Sequence, residues 1–143
     1  MRCARRGFTL VEILIVVVIL GILAAIVVPN FVNARDEAAA GTTYSELEKL
    51  RRAVDVYMAR NANQFPEITA GDGTWGGLVD GTGQYLKSPP YNPYVGGANA
   101  RTIALNATPD AAYQTTHGWV FDAASGTLWA GSFDANDEPI PQP

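Results

Sequence analysis

Residues 13–28, "ILIVVVILGILAAIVV", are apolar or glycine without exception. Counted from Phe8 to Val28, the apolar segment has 21 residues and spans about 30 Å as a helix, the thickness of one bilayer core. The segment therefore reads as a membrane anchor, and the rest of the chain must fold as its appendage. One residue resists that reading. Glu12 stands about one turn into the segment, where a charge costs about 2.5–3.5 kcal/mol on insertion scales.

Charge is distributed unevenly around the anchor. Three of the ten basic residues, Arg2, Arg5 and Arg6, precede Gly7, and the next is Arg35. That asymmetry orients the helix with its N-terminus in the cytoplasm. Without residues 1–7, seven basic residues face fourteen acidic ones, which argues against general nucleic-acid binding. The single cysteine, Cys3, lies in the basic leader, so neither an intrachain disulfide nor a cysteine metal site is available.

Three readings of the N-terminus compete. A cleaved secretory signal needs a small-x-small cleavage site, but a cut after Ala25 would put Leu23 at minus three, and a cut after Ala24 would put Ile22 there. An ordinary signal anchor fits the length and leaves Glu12 reaching toward the headgroups. The third reading accounts for the acid as well. "RRGFTLVEILIVVVILGILAAIVVPNF" resembles the class III signal of type IV pilins and type II secretion pseudopilins. The resemblance covers about the first thirty residues. It implies cleavage between Gly7 and Phe8, N-methylation of Phe8, an assembly role for Glu12 as the fifth mature residue, and a helix-distorting role for Pro29.

Elementary chemistry connects these features. Cutting after Gly7 creates an α-amino group with a reference pKa of about 8, and methylation keeps it charged. Glu12 follows Phe8 by four residues, so the pair can form within one subunit or with a neighbour's amine. Pairing removes much of the penalty of a buried acid.

Beyond Pro29 the pattern becomes amphipathic. In "YSELEKLRRAVDVYMARNANQFPE", apolar residues fall at Tyr44, Leu47, Leu50, Val54, Tyr57 and Met58, the steps of a helix. Glu48 and Arg52 have the favourable Glu-to-Arg spacing. The helix is expected to stop near Asn61–Asn63, before Pro66. Pro29 predicts a kink or local melting, read either as a pliable anchor or as the exit from the membrane. Tyr57, Phe65 and Pro66 resemble, more loosely, the end of the first helix in major pseudopilins.

The remainder reads as a small polar head. Residues 68–101 are dense in Gly and Pro and are expected to be mainly loop, pinned by Leu78, Val79, Tyr85 and Leu86. "YLKSPPYNPY" is assigned a packing role rather than that of a Pro-rich recognition motif. A short strand is expected around Ile103–Asn106, and "HGWVFDAASGTLWAG" is the clearest hairpin, turning over Asp122–Gly126. Its aromatic residues are expected to cover the helix. The resulting fold class is α+β, and the resemblance implies the type IV pilin fold, with a small antiparallel β-sheet on the second half of the helix. The divisions are a leader at 1–7, a membrane and filament-core helix at 8–29, an amphipathic continuation at 30–63, and a head at 64–143.

Catalytic chemistry is not expected. His117 is the only histidine, and a triad with Asp122 and Ser125 would sit in a hairpin turn without an oxyanion-hole motif. "GSFDANDEPIPQP" offers Asp134 and Asp137 as oxygen ligands for Ca²⁺, against a solvated tail as the alternative. No other cofactor is expected. The resemblance implies a structural subunit of a type II secretion pseudopilus or type IV pilus. It would be handled by a prepilin peptidase and N-methyltransferase, embedded in membrane lipid, and assembled with identical or related pilin subunits by an inner-membrane platform. Its localisation would be a bacterial inner membrane with the head periplasmic, and then a filament. The alternatives are an adhesion or DNA-uptake pilin, and a permanently anchored periplasmic binding or scaffold domain.

Overall fold

An α-helix, α1, runs from Leu10 to Arg60 in a computed structural model of the chain. The structure describes residues 8–70, 75–79 and 81–143, with backbone alone for residues 28–33. The chain divides into one unit ending at Asp36 and a second from Glu37 to Pro143.

The described residues of the first unit are mainly the apolar part of α1. Leu10–Val27 is long and apolar enough to cross a membrane, and none of that window is buried. Leu10 is 82% exposed and Ile26 is 62% exposed, so this surface requires lipid or other helices to cover it. The helix is continuous through Pro29, so of the kink or local melting expected there the melting is absent. Proline removes one hydrogen bond from the ladder, and the turns on either side keep theirs.

In the second unit, α1 buries Leu47, Leu50, Ala53 and Val54. The helix ends at Arg60, one residue before the predicted stop. Ala62 and Asn63 adopt positive φ, and the Asn63 amide bonds back to the Met58 carbonyl at 2.9 Å, closing the last turn. Three short strands follow: β1 (Ile103–Leu105), β2 (Trp119–Phe121) and β3 (Leu128–Ala130). Among the described residues between α1 and β1, the loop region holds two short 3₁₀ turns, at Gly76–Leu78 and Ala98–Arg101.

The sheet order is β1-β2-β3. The β2–β3 hairpin is antiparallel, as predicted, with Trp119 opposite Ala130 and Phe121 opposite Leu128. The expectation of an antiparallel sheet is corrected at β1, which pairs parallel with β2, Ile103 opposite Trp119. The physical reason is the connection. Residues 106–118 form a crossover long enough to bring the chain back to the same end before β2 begins, and a parallel neighbour needs such a crossover. As the central strand, β2 is buried at all three positions, Val120 included, although the alternation placed Val120 opposite its aromatic neighbours. Gly126 turns the hairpin at φ 74°, and a side chain there would also collide with the Phe65 ring.

Trp119, Phe121, Leu128, Ala130 and Ile103 join the helix residues in one core, which Trp75, Leu78, Tyr94 and Phe133 close from the loops. Val79, Tyr85 and Leu86 pack on its margin, so the predicted pins of the loop region are in place.

Candidate functional site

The start of α1 is built as a reciprocal cap. The Thr9 hydroxyl accepts a hydrogen bond from the Glu12 amide at 3.2 Å, and the Glu12 Oε2 accepts from the Thr9 amide at 2.7 Å and from the Thr9 hydroxyl at 2.8 Å. This is the capping box written by Thr-x-x-Glu, and it explains why the helix starts at Leu10 rather than Phe8. Glu12 therefore has local donors before any amine is released. Phe8 stands immediately outside the cap and is 78% exposed. Gly7, Cys3 and the leader arginines lie outside the described residues. Pro29 lies within helical backbone.

The ion pairs of α1 differ from the predicted Glu48–Arg52 pair. Lys49 pairs with Glu46 at 2.6 Å, and Arg51 reaches Glu48 only at 3.8 Å. Arg51 instead grips the C-terminal loop. Its guanidinium donates to Asp137 Oδ2 at 2.7 Å, to Asp137 Oδ1 at 2.9 Å and to the Leu128 carbonyl at 2.8 Å. Such a fork holds a carboxylate in direction as well as distance.

Asp134 is not brought to the same cation. Its Oδ1 accepts from the Asn136 and Glu138 amides at 2.8 and 2.9 Å. Those amides, Glu138 first and Asn136 second, hold its carboxyl below the usual aspartate range. Asp137 is engaged by Arg51 and Asp134 by its own loop. Among the described residues no group of three His, Cys, Asp or Glu side chains is placed to hold a metal.

His117 takes partners other than those weighed from sequence. Its Nε2 lies 3.1 Å from Asp110 Oδ1 and its Nδ1 lies 3.1 Å from the Thr116 hydroxyl. The Ser125 hydroxyl meanwhile donates to Asp122 at 2.6 Å within the hairpin turn. The structure does not assemble Asp122, His117 and Ser125 as a triad. Burial acts to raise the Asp110 pKa, but hydrogen bonds from His117, the Ser132 amide and Gln114 outweigh it and hold the carboxyl low.

Asn92 is the polar centre of the head. It is fully buried, and its Oδ1 accepts from the Thr43 hydroxyl, the Tyr94 amide and the Val95 amide at 2.9, 2.9 and 3.1 Å. Its Nδ2 donates to the Gly118 and Gly131 carbonyls at 2.8 and 3.1 Å. One side chain thus ties α1, the proline-rich loop and the residues just before β2 and just after β3.

Comparison with known proteins bears on the first of these sites. The prokaryotic N-terminal methylation motif matches residues 2–28. Type II secretion system core protein G of Pectobacterium carotovorum subsp. carotovorum is 42% identical over 67 residues, which cover 47% of this chain and 42% of the relative. The protein of the same name from Klebsiella michiganensis is 41% identical over 70 residues, 49% of each chain. That from Escherichia coli K12 is 39% identical over 67 residues, 47% of this chain and 46% of the relative. The chain thus spans less than half the length of these relatives. No solved structure matches it.

Proposed function

We propose, from a methylation motif and relatives that support the pseudopilin family for this chain, that it is a structural subunit of a type II secretion pseudopilus or a related pilus. A prepilin peptidase cuts between Gly7 and Phe8, and Phe8 is methylated. The apolar helix holds the subunit in the inner membrane, N-terminus cytoplasmic and head periplasmic, until the assembly platform moves it into a filament.

The observation that carries this reading is an apolar helix, Leu10–Val27, with no buried part and a single acid placed in its first turn. Lipid covers such a surface in the free subunit, and neighbouring helices cover it in a filament. The cap refines what Glu12 does. One carboxylate oxygen already serves Thr9, so the acid is partly compensated in the lone subunit. An amine from the same or the next chain adds a charge that the hydrogen bonds lack.

The test is whether the chain leaves the bilayer. In cells that also make the peptidase, ATPase and platform, electron microscopy with a label on the head is expected to show labelled filaments. Label confined to the inner membrane would favour a permanently anchored scaffold.

Calcium is the remaining part of the proposal, and it rests on ligand chemistry. Asp134 and Asp137 are hard oxygen donors on one short loop, but recruiting Asp137 requires Arg51 to release it. Calorimetry with Ca²⁺ is expected to give a saturable heat that Asp137→Asn removes. No heat and no thermal shift would eliminate the site.

A further inference from the structure

Among the grooves that flank α1 in the unit from Glu37 to Pro143, two carry opposite charge. The first, about 450 Å³, lies between Glu37, Ala40, Gly41 and Tyr44 of the helix and the C-terminal loop. Its charged residues are acidic: Glu37 and Glu138 are exposed, and Asp137 is held by Arg51. Tyr44, 48% exposed, gives it an apolar wall. The second, about 280 Å³, lies between Lys49, Arg52, Ala53 and Val56 of the helix and Gln84 and Tyr85. Its charged residues are basic. Lys49 shares its charge with Glu46, whereas Arg52 has no ion-pair partner among the described residues. The Arg60 guanidinium sits 5.9 Å from the centre of the Tyr85 ring, adding positive charge at that end, and Val56 is 44% exposed.

The two helix stripes have the same spacing. Residues 37, 40, 41 and 44 become 49, 52, 53 and 56 on a shift of twelve positions. On an α-helix that shift is a rotation of about 120° and a rise of about 18 Å. A copy that offers its acidic groove to the basic groove of another therefore keeps a basic groove unused. The contact is heterologous, and the axial offset makes successive copies climb rather than close on a twofold axis.

We infer that the occupant of each groove is a second copy of this chain, the acidic groove around Glu37 and Glu138 docking on the basic groove around Lys49 and Arg52. Charge complementarity sets orientation and register, and Tyr44 and Val56 supply apolar area at the centre. This inference rests on the filament reading. The apolar helices supply most of the buried surface, and the paired grooves select which neighbour is accepted.

Directed cross-linking of the full chain in assembling cells tests it. A chain carrying Tyr44→Cys together with Val56→Cys is expected to oxidise to a ladder of dimers, trimers and higher species, while either cysteine alone gives no ladder and no dimer. Adding Lys49→Glu with Arg52→Glu is expected to reduce the ladder about tenfold or more, because like charges then face each other. Adding Glu37→Lys with Glu138→Lys to those reversals is expected to restore it, which also shows that the variants fold. Dimers from Tyr44→Cys alone would indicate a twofold contact and overturn the inference. So would a ladder indifferent to charge reversal, a combined variant that is not restored, or filaments without a ladder; these leave the filament reading standing. Absence of filaments from the unsubstituted chain would remove both.

Discussion

A chain carrying Glu12→Ala is expected to be cleaved and anchored in the membrane yet left out of filaments. Two roles of Glu12 have to be separated. In the subunit it completes the capping box with Thr9. Alanine leaves the Thr9 amide without its carboxylate acceptor, while the Thr9 hydroxyl still satisfies the amide of residue 12. In a filament, its charge answers the amine that cleavage creates at Phe8. Removing one partner of such a pair leaves the other charge uncompensated, so incorporation should fall by about a hundredfold or more. Glu12→Gln discriminates between the roles. Glutamine serves a capping box as glutamate does, but carries no charge. If charge pairing drives assembly, the glutamine variant fails as completely as the alanine variant. If the cap is the essential role, it assembles normally. Normal incorporation of both variants would remove Glu12 from the assembly mechanism.

The second large effect is expected at Asn92. Replacing it with leucine abolishes five hydrogen bonds at a fully buried site. The Val95 amide and the Gly131 carbonyl then face an apolar side chain, while the Tyr94 amide keeps the Thr43 hydroxyl at 3.3 Å and the Gly118 carbonyl keeps the Gly131 amide at 2.7 Å. Each unsatisfied buried group costs about 1–3 kcal/mol, so the total loss is at least about 2 kcal/mol. Whole domains are stable by about 5–15 kcal/mol, so the head should lose a large share of its stability. Asn92→Asp keeps the acceptor oxygen but turns a second oxygen toward two carbonyls, so it should also destabilise strongly. Thr43→Val removes the donor to Asn92 and a longer contact from the Tyr94 amide, which keeps Asn92 Oδ1, and should cost about 1 kcal/mol. Urea unfolding of the full chain in detergent, followed by tryptophan fluorescence, measures all three. Trp75 and Trp119 are in the core and meet edge to face at 6.4 Å, so they report its loss. A change below about 1 kcal/mol for Asn92→Leu would contradict the assigned role.

What could be read from the sequence was local. The apolar run, the steps of the amphipathic helix and the β2–β3 hairpin each lie within a few residues of their own partners, and residue spacing expresses them. The capping box was equally local, since Thr9 and Glu12 spell its pattern. It was hidden by the larger question of a charge at membrane depth. The parallel pairing of β1 depends on where residues 106–118 return, which no short-range pattern encodes. Asn92, between prolines, looks like a turn residue; its role arises because Gly118 and Gly131 converge on it from distant segments. Arg51 had a nearby glutamate that fitted helix spacing, but Asp137 approaches with better geometry from 86 positions away. The same contact diverts one of the two carboxylates suggested for calcium. In each case sequence supplied the chemical type, and tertiary approach selected the partner.

The account's central claim is that the Gly7–Phe8 bond and Glu12 belong to one process, in which cutting supplies the amine that the acid answers. Intact mass and terminal-peptide mass spectrometry of the chain from cells containing the prepilin peptidase test it most directly. The predicted result is a chain that begins at Phe8 and carries one methyl group on its amine. A chain that retains Arg2–Gly7, or begins beyond Glu12, would contradict it.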